Sequence, residues 1–275
     1  MLNTINSNLN HQKTNLNSRV TFNGIREAEK AIEQVVLQHK DVFKKATGKG
    51  IKKLTQIIVG ESRDPQLILL GGKSASGKTT VAELLTSLLA KTKKCITVNM
   101  DNFFRDRSKL VKKELDKLIK LRENAGKPLG ELTQKALTNV KSRANLDLPG
   151  AIRHLKAHDE LIKLLKKQPA QIPIYDFPTA SITGYKTVKT APVVIGDSLH
   201  ALTGHYTDLP ALRVGIVSNQ QTLLKRWWGR MAIRCPDEPK AVTQRILTNA
   251  EKQAKRYITP VNKAADIIID NTRPI

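Results

Sequence analysis

The sequence predicts a three-layer α/β fold, with a mainly parallel sheet held between helices. From residue 66 onward, short apolar runs alternate with stretches of helical periodicity, as strands joined by crossover helices do. The runs are apolar at successive positions, which suits strands buried on both faces. The chain has 275 residues, 40% of them hydrophobic, enough for one full α/β domain with an appendage.

The elements follow in order. Residues 1–20 are Asn-rich without apolar periodicity, and disorder is expected there. Across 25–46, Ile25, Ala28, Ile32, Val35, Val36 and Phe43 recur at helical spacing until Gly48 and Gly50 interrupt. A second short helix, KKLTQIIV, leads to a turn at Asp64-Pro65. Residues 1–64 therefore read as an N-terminal extension, partly disordered and then helical, before a main domain over 65–275. Strands are expected at 66–70, 95–100, 172–175, 193–195, 212–217 and 265–269, and helices at 78–90, 108–122, 131–141, 150–167, 221–233 and 239–257. Residues 106–143 are Lys-rich and broken at Gly126-Lys127-Pro128 and Gly130, which predicts an inserted helical hairpin with a solvated face.

Composition narrows the classes. The two cysteines, Cys95 and Cys235, have no metal-ligand spacing and no partner framework. The polar N-terminus lacks the apolar core of a secretory signal. No apolar run approaches the ~20 residues of a membrane span. A reduced, cytoplasmic protein is expected. The formal net charge of +23 fits a solvated basic surface with a site for a polyanionic nucleotide. Contact with nucleic acid or an acidic membrane face is the alternative. Nucleic acid has no motif in its favour, and with 4% aromatics stacking platforms are few.

The strongest motif is GGKSASGKTT at 71–80. Gly72, Lys73, Ser74, Ala75, Ser76, Gly77, Lys78 and Thr79 fit G-x-x-x-x-G-K-[ST] at every fixed position, with Thr80 following. Glycines let backbone N–H groups turn around a phosphate without a Cβ in the way, and the helix opening at Lys78 aims its positive end at the same anion. Lys78 is expected to reach the β- and γ-phosphates of ATP, and the Thr79 hydroxyl to ligate Mg²⁺. The preceding strand QLILL and the following helix KTTVAELLTSLLA supply the context the motif needs.

Two acids end core strands. Asp101 follows CITVNM, and Asp197 follows APVVIG. Ligands of parallel sheets bind beyond the carboxyl ends of strands, so both belong near the phosphate site. Asp101 suits a general base or a Mg²⁺ carboxylate; otherwise it caps the next helix. Asp197 suits the Mg²⁺ side, or a turn.

These residues resemble the uridine kinase/phosphoribulokinase family. The resemblance lies in GGKSASGKTTVA, in Asp101-Asn102-Phe103-Phe104-Arg105, and in the segment from Asn145 to Ala151. It continues in Ile174-Tyr175-Asp176-Phe177, in Ile258-Thr259-Pro260 and in the final strand near Asp266, and is collinear over roughly 66–271. It implies a P-loop kinase fold and phosphoryl transfer from ATP to a small hydroxyl acceptor, a nucleoside or a sugar-like alcohol. Asp101 would be the base, and Thr79, Asp101 and Asp197 would surround Mg²⁺. Arg226 and Arg230 would be lid arginines; otherwise they are surface arginines of an amphipathic helix. Phe104, Tyr175 and Phe177 would line the acceptor pocket.

The departures fall on that pocket. Phe104 stands where the family has Tyr, and Ala180 and Ile182 stand where a base-reading His and Arg are expected. Asp197 replaces Glu and is followed by Ser198 instead of Gly; Arg234-Cys235-Pro236-Asp237 replaces an Arg-Gly-Arg stretch. A second reading therefore stands beside the kinase: a nucleotide-binding module whose basic surface meets nucleic acid or a protein partner. On the proposed lid helix, Trp227 and Trp228 read as one ring packed inward and one shielding apolar surface, with base stacking as the alternative. His200 and His205 follow Asp197 closely enough to line the site, or are solvated loop residues.

Overall fold

The computed structural model describes residues 22–60, 62–90, 93–126, 140, 146–234 and 240–272. Six strands form the main sheet: β1 (Phe43–Ala46), β2 (Gln66–Gly72), β3 (Cys95–Asn99), β6 (Val193–Ser198), β7 (Ala211–Val217) and β8 (Ile267–Asp270), in the order β1-β8-β7-β2-β6-β3. All neighbours run parallel except β1, which pairs antiparallel with β8.

The continuous apolar runs are explained by burial on both faces. On β2, Leu67 and Leu69 pack into a core with Val98, Met100, Phe103, Leu161 and Val194. Ile68 and Leu70 point to the opposite core, with Ile57, Val81, Val193, Ile195 and Val214. Each such leucine or isoleucine adds roughly 1.5–3 kcal/mol on full burial. The second core is covered by α2 (Gly48–Val59) and α3 (Lys78–Leu89), the first by α5 (His154–Leu165).

Three expectations are corrected. The helix predicted over 25–46 ends early: α1 spans Phe22–Gln38, and Phe43–Ala46 is a strand. Phe43 and Ala46 pack on the core, and the Thr47 side chain caps α2 by accepting from Gly50 N–H. Phe43–Ala46 thus joins the part of the chain before residue 65 that the structure describes to the sheet edge. The strand expected at 172–175 lies outside the main sheet. It is β4 (Ala170–Asp176), paired antiparallel with β5 (Ser181–Val188), which the sequence reading missed. Burial along β4 alternates in part, because one face packs on α5 and the other meets solvent. The helix expected over 239–257 stops as α7 (Lys240–Gln253) and loosens into a π-turn, Ala254–Ile258, before the short helix α8 (Thr259–Lys263).

The insertion begins as α4 (Arg107–Asn124), which buries no residue. The expected helix at 131–141 lies, except for Val140, outside the described residues, as do residues 1–21 and the 235–239 part of the lid stretch. Among the described residues, no helix is long and apolar enough to cross a membrane.

Candidate functional site

The glycine loop turns between the centre of the sheet and α3. Ala75 (φ 64°) and Gly77 (φ 89°) are both left-handed. Gly77 needs this freedom twice over, since a Cβ there would stand 2.0 Å from Asn271 Nδ2. Asn271, just beyond β8, donates that Nδ2–H to Ser76 O at 3.0 Å. Its own carbonyl accepts from Arg226 Nη1 at 2.9 Å, so the last strand ties α6 (Gln220–Arg234) to the loop. Gly77→Ala is expected to cost about 1–3 kcal/mol in backbone strain, beyond the clash with Asn271. Thermal unfolding and ATP titration would both register it, and an unchanged melting temperature would contradict this account of the loop.

Lys78 is buried, and its Nζ donates to Gly72 O at 3.0 Å and Lys73 O at 3.1 Å. Burial pulls its ammonium below the ordinary value, while Asp101 and Asp197 pull the other way and Arg230 adds to the lowering. Parallel register sets Asp197 on β6 between Leu70 of β2 and Asn99 of β3, at the carboxyl end of the sheet. Thr79 donates its hydroxyl to Asp197 Oδ2 at 3.0 Å, whereas the buried Oδ1 has no partner. Burial, then the like charge of Asp101, pushes Asp197 up to about 6, against Lys78 and the Thr79 bond.

Asp101 lies in a single 3₁₀ turn, Met100–Phe103, that follows β3 directly. Its N–H donates to Asn99 Oδ1, and its Oδ1 accepts from Ser198 Oγ at 2.9 Å. Ser198, noted in the sequence only as a departure, thus fixes the candidate base. A third carboxylate joins the group. Asp147 is pushed up to about 6 by burial and by Asp101, against Lys78 and Arg230. Asp147 was legible only as part of a family segment, with no role attached.

Two neutral histidines hold the Asp147 segment. A carbonyl can only accept, so His200 Nε2–H donates to Asp147 O at 3.0 Å and His154 Nε2–H donates to Pro149 O at 2.9 Å. Tyr206 O–H then donates to His154 Nδ1 at 3.0 Å. Burial above all lowers both imidazoles, His154 to about 4. His205 stacks on His154 at 4.1 Å.

The structure therefore brings Lys78, Thr79, Asp101 and Asp197 together, with Arg230 within electrostatic reach. Arg226 is engaged with Asn271. Thr80 is exposed on the first turn of α3. Beside the loop, a cleft is lined by Lys73, Ser74, Asp147, Leu199 and, from α6, Leu223 and Trp227. Trp227 packs inward on Ala75 and Leu247, with Trp228 edge-on at 5.4 Å. Phe104, Tyr175 and Phe177 form an edge-to-face trio with centroids 5.2–6.5 Å apart. Phe104 and Tyr175 are core residues, 3% and 6% exposed, so most of their surface packs instead of lying open to a ligand.

Residues 67–274 match the Phosphoribulokinase / Uridine kinase family. The chain belongs to this family. Among its relatives, uridine-cytidine kinase 2-B of Danio rerio is 26% identical over 217 residues, covering 75% of this chain and 73% of that protein. Inorganic pyrophosphatase TTM1 of Arabidopsis thaliana is 25% identical over 207 residues, covering 74% of this chain; the match spans only 27% of that protein's length. In fold, the chain is similar to phosphoribulokinase from Rhodobacter spheroides, with a TM-score of 0.51, 15% identity, and coverage of 76% of this chain and 71% of that one. The family is one of phosphotransferases that act on hydroxyl groups of small molecules, and its P-loop fold implies ATP binding.

Proposed function

We propose that the protein is an ATP-dependent kinase that transfers the γ-phosphoryl group to a hydroxyl of a small alcohol. The observation that carries the reading is Asp101, held by Ser198 at the carboxyl end of β3, within electrostatic reach of the buried Lys78 and Asp197. A pure nucleotide binder has no use for a positioned base.

The roles follow from the geometry. Amides of the loop from Gly72 to Thr80 cradle phosphates. Lys78, which now bonds to loop carbonyls, is free to exchange them for phosphate oxygens. Thr79, Asp197 and Asp101 would hold Mg²⁺, and the fit rests on the unpartnered Asp197 Oδ1. Among the described residues no group of three or more His, Cys, Asp or Glu is placed to hold a metal alone, so the remaining ligands would be phosphate and water oxygens. When bound, the ion neutralises charge on the phosphates. Asp101 takes the proton of the acceptor hydroxyl as that oxygen attacks phosphorus, and ADP leaves. Arg230, and Arg226 if it releases Asn271, offset the charge of the transferring group.

The two raised carboxyls give a pH prediction. Asp197 binds a cation only when ionised, so ATP-dependent transfer should fall as pH drops through about 6. A cation favours the ionised form, so raising Mg²⁺ should move this limb to lower pH. A limb indifferent to Mg²⁺ would remove Asp197 from the metal site.

A further inference from the structure

The chain carries a charged face that the kinase reading does not use. It lies on α4, the helix that buries no residue. The start of α4 is fixed to the β4–β5 hairpin: Arg107 N–H donates to Ala180 O at 2.9 Å, and Asp106 Oδ1 accepts from Ile182 N–H at 3.1 Å. On one side of the helix Leu110, Val111, Leu115, Leu118 and Ile119 are half-buried, and Leu110 packs against the first core.

The other side is exposed and reads Lys109, Lys112, Lys113, Asp116, Lys117 and Lys120. Steps of three and four residues put these side chains on one stripe, and they border one open groove. Five lysines thus stand against one acid. Lys109 pairs with Asp106 at 3.2 Å and Lys117 with Glu114 at 2.6 Å. Among the described residues, Lys112, Lys113 and Lys120 are in no ion pair. Lysines four apart, such as Lys109 and Lys113, repel each other, a cost that an anion laid along the stripe removes. The stripe selects its partner by shape as well as sign. From Lys109 to Lys120 the helix advances about 16 Å, the rise of about five successive phosphates on one strand of a duplex. A row of point charges fits a linear polyanion better than a planar one. It has no aliphatic or aromatic side chain of its own to insert among lipids, and Leu121, 64% exposed, only borders it. It has no Arg, Asn or Gln to read base edges, so its contacts fall on phosphates and carry no sequence preference. The formal net charge of +23 adds attraction of the same sign at long range.

We propose that the lysine stripe of α4 docks nucleic acid through its phosphate backbone. The inference does not rest on the kinase reading, and the two can fail separately.

Equilibrium binding of short labelled duplexes of random sequence, DNA and RNA, to the full chain across a salt series tests it. One variant combines Lys112→Gln, Lys113→Gln and Lys120→Gln, which removes the three unpaired charges. Losing three phosphate contacts should weaken binding by about tenfold or more at moderate salt and flatten the log–log salt slope by about 2–3. A control combines Lys52→Gln, Lys166→Gln and Lys189→Gln, exposed lysines elsewhere, and should bind nearly as the wild type does. Arginine at the three stripe positions should also preserve binding. Affinity for a non-hydrolysable ATP analogue should be unchanged in all three variants, which separates a lost surface from a lost fold. Equal losses in the two glutamine variants would leave net charge as the whole cause and overturn the stripe. So would the absence of duplex binding, or tighter binding to phosphatidylserine vesicles or to polyglutamate than to either duplex. Stripe-dependent duplex binding by a chain that transfers no phosphoryl group would keep the stripe and remove the kinase reading. Phosphoryl transfer without duplex binding would do the reverse.

Discussion

Replacing Lys78 with methionine is expected to lower kcat by on the order of 10³-fold, the scale on which a preorganised charge acts in a water-poor site. The ammonium lies within electrostatic reach of Asp101, Asp147 and Asp197. Its removal leaves three carboxylates to repel one another. Asp147 and Asp197, already raised to about 6, should rise further, because Lys78 is the main attraction lowering each. The acid limb of any residual activity should therefore shift to higher pH. Steady-state rates across pH 5–8 read both effects. Near-normal turnover in this variant would take Lys78 out of the phosphate site.

Asp101→Asn is expected to reduce kcat by about 10²–10⁴-fold, the usual worth of a positioned general base. The exchange is nearly isosteric, and the amide oxygen can still accept from Ser198, so the fold should persist. Its pH signature is opposite to that of Lys78→Met. Asp101 raises both Asp147 and Asp197, so removing its charge lets both fall and moves the acid limb to lower pH. Two variants of one site, inactive for different reasons, should thus diverge in the sign of a pH shift, which general destabilisation would not produce.

The parts of this architecture most legible in the sequence were those set by local physics. β2, β3, β6, β7 and β8 are apolar at successive positions because the sheet is covered on both sides. The loop at 71–80 was legible because its turn constrains residue type, most plainly at Gly77, which is left-handed and has no room for a Cβ beside Asn271. β1 escaped because FKKA is short and continues a helical pattern, and what makes it a strand is β8, more than 200 residues away in sequence. β5 escaped because its residues are mostly exposed or half-buried and include Gly184. In the site, Asp101 and Asp197 could be placed from strand ends alone. Ser198, Asp147, His200 and Asn271 could not, because the partner that defines each is 53–195 residues distant.

The measurement that bears most directly on the central claim follows label from γ-labelled ATP, with Mg²⁺, into neutral and anionic alcohols by wild-type protein and Asp101→Asn. The account predicts label on one class of alcohol in step with ADP release, and its near-disappearance in the variant. ADP release with no labelled alcohol, at the same rate in both proteins, would contradict it.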